Sequence, residues 1–143
     1  MRAQDAPGQD ARGQDARRQD ARRQDARQRV GRLGEDLAAT HLLGLGWRLL
    51  DRNWYGRAGE LDLVALDVDV DEVVGVEVKT RRSGAYGTPA EAVTPPKVRR
   101  LRVLTAQWLA EHDVRCTGVR LDVVAVELVP HGPPRVDHLV GVG

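Results

Sequence analysis

The segment from Gly59 to Thr80, GELDLVALDVDVDEVVGVEVKT, decides the fold of this chain. Apolar and polar residues alternate in its first part, 59–66, and again in its last part, 73–80, and an acidic stretch lies between them. Such alternation is typical of β-strands, because successive side chains of a strand point to opposite faces of the sheet. The segment therefore predicts a β-hairpin.

The register of this hairpin determines which of its charged residues meet. A two-residue turn at Asp69 and Val70 makes the numbers of paired residues add up to 139, which sets Asp62 opposite Glu77. Alternation also defines the two sets of side chains that face each other, Glu60, Asp62 and Val64 on the first strand and Gly75, Glu77 and Lys79 on the second.

Two carboxylates that face each other across a strand pair repel. A divalent cation bound by both removes that repulsion, and Mg²⁺ or Mn²⁺ takes oxygen ligands of this kind. We therefore predict Asp62 and Glu77 as metal ligands, with the Lys79 ammonium placed to stabilise a developing oxyanion. Two alternatives stay open: a solvent-exposed face with Glu60 and Lys79 as a surface ion pair worth less than about 1 kcal/mol, and a one-residue bulge that changes the register.

The other elements follow from apolar spacing outside the hairpin. Residues 30–45 and 97–112 carry apolar residues at helical spacing, whereas 47–54, 119–129 and 135–140 are rich in strand-forming residues. This order predicts an α/β domain over residues 30–143, with a mixed sheet flanked by helices. We expect all three tryptophans, at positions 47, 54 and 108, in the core. Stacking of Trp54 and Tyr55 on an unpaired base is the alternative for that pair.

Residues 4–28 consist of five copies of a pentapeptide, from QDAPG to QDARQ. The first 30 residues carry 8 Arg and 5 Asp, whereas the other 113 carry 14 basic and 16 acidic residues. A five-residue repeat presents no recurring face, and its apolar residues are small, so we predict that residues 1–29 are a disordered extension. Three hypotheses stay open: a nucleic-acid-binding tail, a passive extension, and a translation start near Val30, because a valine codon can serve as a bacterial start.

Composition excludes several kinds of site. The single cysteine, Cys116, excludes an internal disulfide and a cysteine-based zinc site. The four histidines lack paired metal-ligand spacing, and the EF-hand-like start at 67–71 has Glu72 where glycine is required. No apolar run reaches the roughly 20 residues of a membrane span, so we expect a cytoplasmic protein without membrane attachment.

An ordered series of short motifs resembles a known family. The series consists of Gly34-Glu35, Arg52-Asn53, Gly59-Glu60-Leu61-Asp62, Val76-Glu77-Val78-Lys79 with Arg81, Tyr86-Gly87, Lys97 and Arg120-Leu121-Asp122-Val123. It resembles the bacterial YraN-like family of uncharacterised proteins, which belongs to the PD-(D/E)xK restriction-endonuclease-like superfamily and is similar to archaeal Holliday junction resolvases. The chain departs from the family pattern at Gly75 and Leu121, where aromatic residues are common.

The resemblance implies a restriction-endonuclease-like fold and a metal-dependent, structure-selective DNA endonuclease. It implies that Asp62 and Glu77 bind Mg²⁺ or Mn²⁺, that Lys79 is the catalytic lysine and that Glu35 reaches the metal from the first helix. A solvated helix carboxylate is the alternative for Glu35, and the role of Glu60 is open. A non-catalytic nucleic-acid-binding module on the same fold is the alternative function.

The expected partner is DNA, branched if the enzyme is resolvase-like, and a homodimer would suit a symmetric junction. Basic residues near the expected substrate side are candidates for contacts with backbone phosphates. They are Arg81, Arg82, Lys97, Arg99 and Arg100.

Overall fold

The computed structural model describes residues 8–84 and 87–143, with side chains described from residue 11 onward. Its elements are α1 Gly8–Gly44, β1 Arg48–Gly56, β2 Gly59–Asp67, β3 Glu72–Arg82, a 3₁₀ turn Pro89–Ala92, α2 Pro95–Glu111, β4 Gly118–Leu128 and β5 Arg135–Leu139. The five strands form one sheet in chain order. Strands β3 and β4 are parallel and are connected through α2, whereas the other neighbours are antiparallel. The predicted α/β fold with a mixed sheet is confirmed.

Each face of the sheet is covered by one helix. On one face, α1 contributes Ala38, Ala39 and Leu42 to an apolar cluster with residues of β2, β3 and β4. On the other face, α2 contributes Leu101, Leu104 and Trp108 to a second cluster. The sheet is therefore the middle layer of three, and its strand ends are where polar side chains of both layers can meet. No helix in the described part of the chain is long and apolar enough to cross a membrane.

The three tryptophans lie in or against the core, as predicted. Trp47 and Trp108 are buried, and Trp54 is half-buried against the cluster on the α2 face. The Trp108 indole N–H donates a 2.8 Å hydrogen bond to Asp51, which satisfies its one polar atom. Tyr55 is 75% exposed, so it contributes little to the core.

The hairpin of β2 and β3 has the predicted register. Leu63 pairs with Val76 and Asp67 pairs with Glu72, so the paired numbers add up to 139. The turn is longer than predicted, because residues 68–71 connect the strands instead of two residues. Regular pairing extends from the turn to Leu63 and Val76. The two strands therefore separate where the charged residues begin.

The alternation of β2 shifts by one residue at this point. Leu63 faces α1 and Val64 faces α2. Asp62 nevertheless lies with Glu35 of α1, so Asp62 and Leu63 occupy the same side, and the prediction that Asp62 and Val64 share a face is wrong. The neighbouring strand β1 has its own irregularity at Asn53, whose φ of 50° is a left-handed conformation that asparagine tolerates.

Two glycines let the helices approach the sheet closely. Gly34 of α1 lies against Thr80 of β3, and Gly75 of β3 lies against Thr105 of α2. A β-carbon at either glycine would overlap the hydroxyl oxygen of the facing threonine. An aromatic residue at position 75 would therefore not fit under α2 in this chain. The close approach at Gly34 brings the next residue, Glu35, to the sheet.

Helix α1 begins at Gly8, so the repeats from that point are helical and the prediction of disorder differs from the structure there. Residues 11–29 are all exposed, as expected for a segment without a recurring apolar face. Local preferences explain the helix, because Ala, Arg and Gln are good helix formers. In addition, Asp15 and Asp20 each lie three residues before an arginine, where opposite charges attract. Residues 1–7 lie outside the described part of the chain, as do Ala85 and Tyr86.

A polar network is buried between α1, β4 and β5. Asp122 is fully buried and binds the Arg120 guanidinium, the Gly141 N–H and the His138 imidazole. His138 in turn lies 3.1 Å from the His41 imidazole of α1. Burial alone would raise the pKa of Asp122, but the hydrogen bonds from His138 and Arg120 outweigh it and the pKa is lowered. The network fastens the last strand to the first helix.

Candidate metal centre

Three carboxylates come together where β2 separates from β3. Glu35 of α1 and Glu60 and Asp62 of β2 each offer one oxygen, and these oxygens lie within 4.8 Å of one another. Glu60 is exposed, whereas Glu35 and Asp62 are half-buried. We refer to these three side chains as the carboxylate cluster.

Contacts with the backbone and with Asn53 position the cluster. The Asp62 Oδ2 accepts a 2.8 Å hydrogen bond from the Val78 N–H of β3. In a regular antiparallel pair this N–H would bond to a carbonyl of β2. Because the strands have separated, the carboxylate of Asp62 takes the place of that carbonyl. Asn53, the residue of β1 with the left-handed backbone, lines a cavity together with Glu35 and Glu60.

Burial and mutual repulsion make the fully ionised cluster unfavourable. Burial raises the pKa of Asp62 to about 7, and the charges of Glu35, Glu77 and Glu60 add to this rise, whereas the backbone hydrogen bond opposes it. Burial also raises the pKa of Glu35, although the neighbouring Asn53 side chain opposes the rise. A cation bound between these side chains would favour their ionised forms.

The donor set fits a small divalent cation. Mg²⁺ holds oxygen ligands at about 2.0–2.1 Å, so two ligands on opposite sides of the ion lie about 4.2 Å apart. Oxygens within 4.8 Å of one another need only small side-chain rotations to reach this spacing. Carboxylate oxygens also suit Mg²⁺ and Mn²⁺ better than they suit metals that prefer thiolate or imidazole ligands.

Glu77 and Lys79 flank the cluster on β3. Among the described residues, Glu77 is not one of the carboxylates that meet within 4.8 Å. Its Oε1 lies 3.4 Å from the Arg100 guanidinium of α2, yet its charge still adds to the rise in the Asp62 pKa. Lys79 is exposed and lines the same cavity, of about 630 Å³, as Glu35. The role of Glu77 as a metal ligand stays a prediction.

Three of the predicted phosphate-contacting residues lie beside this site. Arg81 and Arg82 line the cavity that also contains Lys79. Lys97 lines a neighbouring, smaller cavity together with Lys79 and Arg81. These side chains are therefore close enough to one another to act on one polyanion.

The other two predicted contacts are arranged differently. Arg100 forms the ion pair with Glu77, so its charge is partly used within the protein. Arg99 lines a separate, mainly apolar cavity next to the C-terminal residues. The structure does not bring Arg99 together with the carboxylate cluster.

Two residues of the site, Glu60 and Asn53, received no role from the sequence pattern. Glu60 lies two residues before Asp62 on the same strand, so alternation placed it on the correct side without indicating a third carboxylate. Asn53 belongs to the Arg52-Asn53 motif, and its tolerance of a left-handed backbone was the one available signal. Both depend on the packing of α1 against β1 and β2, which spacing along the chain does not specify.

The mixed sheet between two helices, with an acidic site where the central hairpin separates, defines a restriction-endonuclease-like α/β protein. Residues 34–126 match the family described as Uncharacterised protein family UPF0102. The chain belongs to this family, which confirms the YraN-like assignment.

Several relatives resemble this chain over most of their length. A UPF0102 protein of Mycolicibacterium gilvum (strain PYR-GCK) is 55% identical over 114 residues, which cover 80% of this chain and 93% of the relative. A UPF0102 protein of Mycobacterium sp. (strain KMS) is 53% identical over 113 residues, or 79% and 84% of the two chains. A UPF0102 protein of Mycobacterium marinum (strain ATCC BAA-535 / M) is 50% identical over 115 residues, or 80% and 94%.

Proposed function

We propose that this protein is a metal-dependent nuclease that hydrolyses phosphodiester bonds in DNA of branched structure. The observation that carries the proposal is the carboxylate cluster, which lies where β2 leaves β3 and shares a cavity with Lys79. An uncompensated group of three acidic side chains costs stability, whereas the same group is suited to binding a cation.

Each side chain has a distinct role in this proposal. Glu35, Glu60 and Asp62 would hold Mg²⁺ or Mn²⁺, and the ion, when bound, would polarise a phosphoryl oxygen and lower the pKa of a water molecule. The Val78 N–H fixes the Asp62 carboxylate at 2.8 Å. The Lys79 ammonium donates hydrogen bonds to the scissile phosphate and stabilises the negative charge that develops on it.

Glu77 has two roles open to it within the same mechanism. Its contact with Arg100 leaves it on the α2 side of the site, where it adds negative potential at Asp62. Rotation toward the cluster would make it the further ligand that the sequence predicts. Isothermal titration calorimetry of Mn²⁺ binding to the Glu77→Gln and Glu60→Gln variants separates the two roles. A larger loss of affinity in Glu77→Gln assigns it to the metal, and a larger loss in Glu60→Gln assigns Glu60.

Cleavage assays test the proposal directly. Labelled four-way junctions, flaps, linear duplexes and single strands are incubated with the protein and with Mg²⁺ or Mn²⁺. We expect metal-dependent cleavage of the branched substrates, and a decrease of about 10²–10³ in rate for Lys79→Ala, as for the loss of one group that stabilises charge in the transition state. Asp62→Asn should also be inactive, and Asp113→Asn, which changes an exposed carboxylate on the loop after α2, is the matched control.

Two results would contradict the nuclease proposal in different ways. Equal residual cutting by the wild type, Asp62→Asn and Lys79→Ala would identify a contaminating nuclease. Binding of DNA by the wild type without cleavage in either metal would favour a non-catalytic nucleic-acid-binding module. A homodimer is part of the proposal for a symmetric junction, and the mass of the protein in solution, with and without the junction, tests it.

A further inference from the structure

Helix α1 extends beyond the domain that the family shares. The family match begins at residue 34, whereas α1 begins at Gly8. The segment before residue 34 therefore adds more than six helical turns to the shared domain at 3.6 residues per turn. Most of this segment is the arginine-rich repeat, and all of residues 11–29 are exposed.

The end of this extension forms one wall of the cavity beside the carboxylate cluster. Arg23 and Arg27 are four residues apart, so they lie on the same side of the helix. Both line the cavity of about 630 Å³ that contains Lys79, Arg81 and Arg82 on its other wall. We refer to this cavity as the arginine groove. Five of its eleven lining residues are basic, and Glu35 is the one acidic residue among them.

The arrangement of the repeat directs positive charge into the groove. Each repeat contains an aspartate, which offsets much of the arginine charge along the extension as a whole. Neither Asp20 nor Asp25 lines the groove, although Arg23 and Arg27 from the same repeats do. The groove is consequently much more basic than the extension that forms its wall, and Lys79 and Glu35 connect it to the candidate active site.

We infer that the extension is a phosphate-binding arm, whose Arg23 and Arg27 contact the sugar-phosphate backbone of the nucleic acid on one side of the cleavage point. This inference rests on the proposed function and assigns to that site a substrate-binding surface that the family match does not cover. Arginine suits the role, because its planar guanidinium binds phosphate oxygens through two hydrogen bonds.

The helix sets the distance over which the arm acts. Arg27 and Arg23 precede Glu35 by eight and twelve residues, which correspond to about 12 and 18 Å at a rise of about 1.5 Å per residue. Phosphates of one strand are about 3.4 Å apart along the axis of B-DNA. The arm therefore contacts phosphates about four and five positions from the carboxylate cluster.

The salt dependence of DNA binding tests the arm. The variant Arg23→Gln/Arg27→Gln removes both groove arginines and keeps a residue with good helix propensity. The control Arg22→Gln/Arg29→Gln removes the same charge from exposed arginines that do not line the groove. Circular dichroism checks that both variants keep the helix. Binding to a fluorescein-labelled four-way DNA junction and a linear duplex is measured by anisotropy in EDTA at several KCl concentrations.

The loss of two phosphate contacts should reduce the slope of log K against log[KCl] by about 1.8, because each contact contributes about 0.9 on duplex DNA. The control should leave the slope close to that of the wild type. Equal slopes for the two variants, or no DNA binding by the wild type, would overturn the inference.

Cleavage measured in parallel separates this inference from the proposed function. A reduced slope in the groove variant together with no metal-dependent cleavage by the wild type supports the phosphate-binding arm and contradicts the proposed nuclease function. Metal-dependent cleavage by the wild type together with equal slopes for the two variants contradicts the phosphate-binding arm and supports the nuclease function.

Discussion

Replacement of Asp62 by asparagine should make the metal-free protein more stable at pH 8. The substitution keeps the shape of the side chain and an oxygen that can accept the hydrogen bond from the Val78 N–H. It removes a charge that is half-buried and lies close to Glu35 and Glu60. If position 62 served stability alone, a neutral side chain would be favoured there. A gain in stability on substitution therefore indicates that the carboxylate serves a function.

The pKa of Asp62 gives the size of the effect. A rise from 3.8 in the unfolded chain to about 7 in the folded protein corresponds to about 4 kcal/mol, since one pKa unit is worth about 1.36 kcal/mol. Partial exposure screens part of this, so we expect the asparagine variant to gain about 2–4 kcal/mol in the free energy of unfolding.

The sign of the pH dependence follows from the direction of the shift. Because the folded-state pKa is raised, the stability that the neutral Asp62 contributes is fully present below pH 3.8 and is lost as the pH rises through about 7. The advantage of Asp62→Asn should therefore be largest at about pH 8 and should decrease by more than half toward about pH 5, where most of the folded protein has a neutral Asp62.

Urea denaturation in EDTA, at several pH values, measures these differences. When Mn²⁺ replaces EDTA, the wild type should gain about 2.7 kcal/mol in the free energy of unfolding at a free Mn²⁺ concentration of 100 Kd, whereas Asp62→Asn should gain much less. Asp113→Asn is the control and should change stability by less than about 0.5 kcal/mol. Destabilisation of the metal-free protein by Asp62→Asn, or a stability advantage of this variant that does not change with pH, would contradict a buried, repelled charge at position 62.

Other predictions concern packing and the buried polar network. Gly34→Ala should lower the free energy of unfolding by about 1–3 kcal/mol, because the added β-carbon overlaps with Thr80, and it should weaken Mn²⁺ binding in calorimetry. Adding Thr80→Ala to this variant should restore part of the stability and part of the Mn²⁺ affinity. A double variant without such restoration would argue against the contact. Asp122→Asn should cost about 1–3 kcal/mol in urea denaturation, because Arg120 keeps Asp67 and Glu72 as partners but loses a fully buried, charged hydrogen-bond acceptor. A loss below about 0.5 kcal/mol would count against the network. Burial and the neighbouring His138 lower the pKa of His41 from 6.5, so this residue's contribution to stability is present above that pH and is lost as the pH falls through the folded-state value. His41→Gln should therefore flatten the decrease in stability below about pH 6.5, and an unchanged decrease would contradict this assignment.

Much of the sheet could be predicted from the sequence, because strand periodicity is a local property. The hairpin register follows from a turn centred between Asp69 and Val70 that joins the two alternating stretches, and the pairing of Leu63 with Val76 confirms it. The error in turn length did not affect the register, since the four residues 68–71 are centred on the same point as the two predicted ones.

The site itself was less accessible to sequence reasoning. Alternation continued past Leu63 would put Asp62 and Val64 on one face, whereas the separation of β2 from β3 places Asp62 on the α1 side. The ion pair of Glu77 with Arg100 joins residues from different elements and has no signature in local spacing. In the repeats, local properties matter more than the prediction allows. The sequence predicts disorder because the repeats lack an apolar face, whereas local helix propensity is sufficient for the helix in the structure.

The bond between the Val78 N–H and Asp62 also makes one backbone amide a reporter of the site. In the rest of the hairpin, exchange of an amide hydrogen with solvent requires the strands to open, whereas at Val78 it requires only that one carboxylate turns away. A nuclear magnetic resonance experiment can therefore follow the protonation of Asp62, and its engagement by a cation, through the chemical shift and the exchange rate of this single amide. The same signal would report on the site in a variant that cleaves nothing.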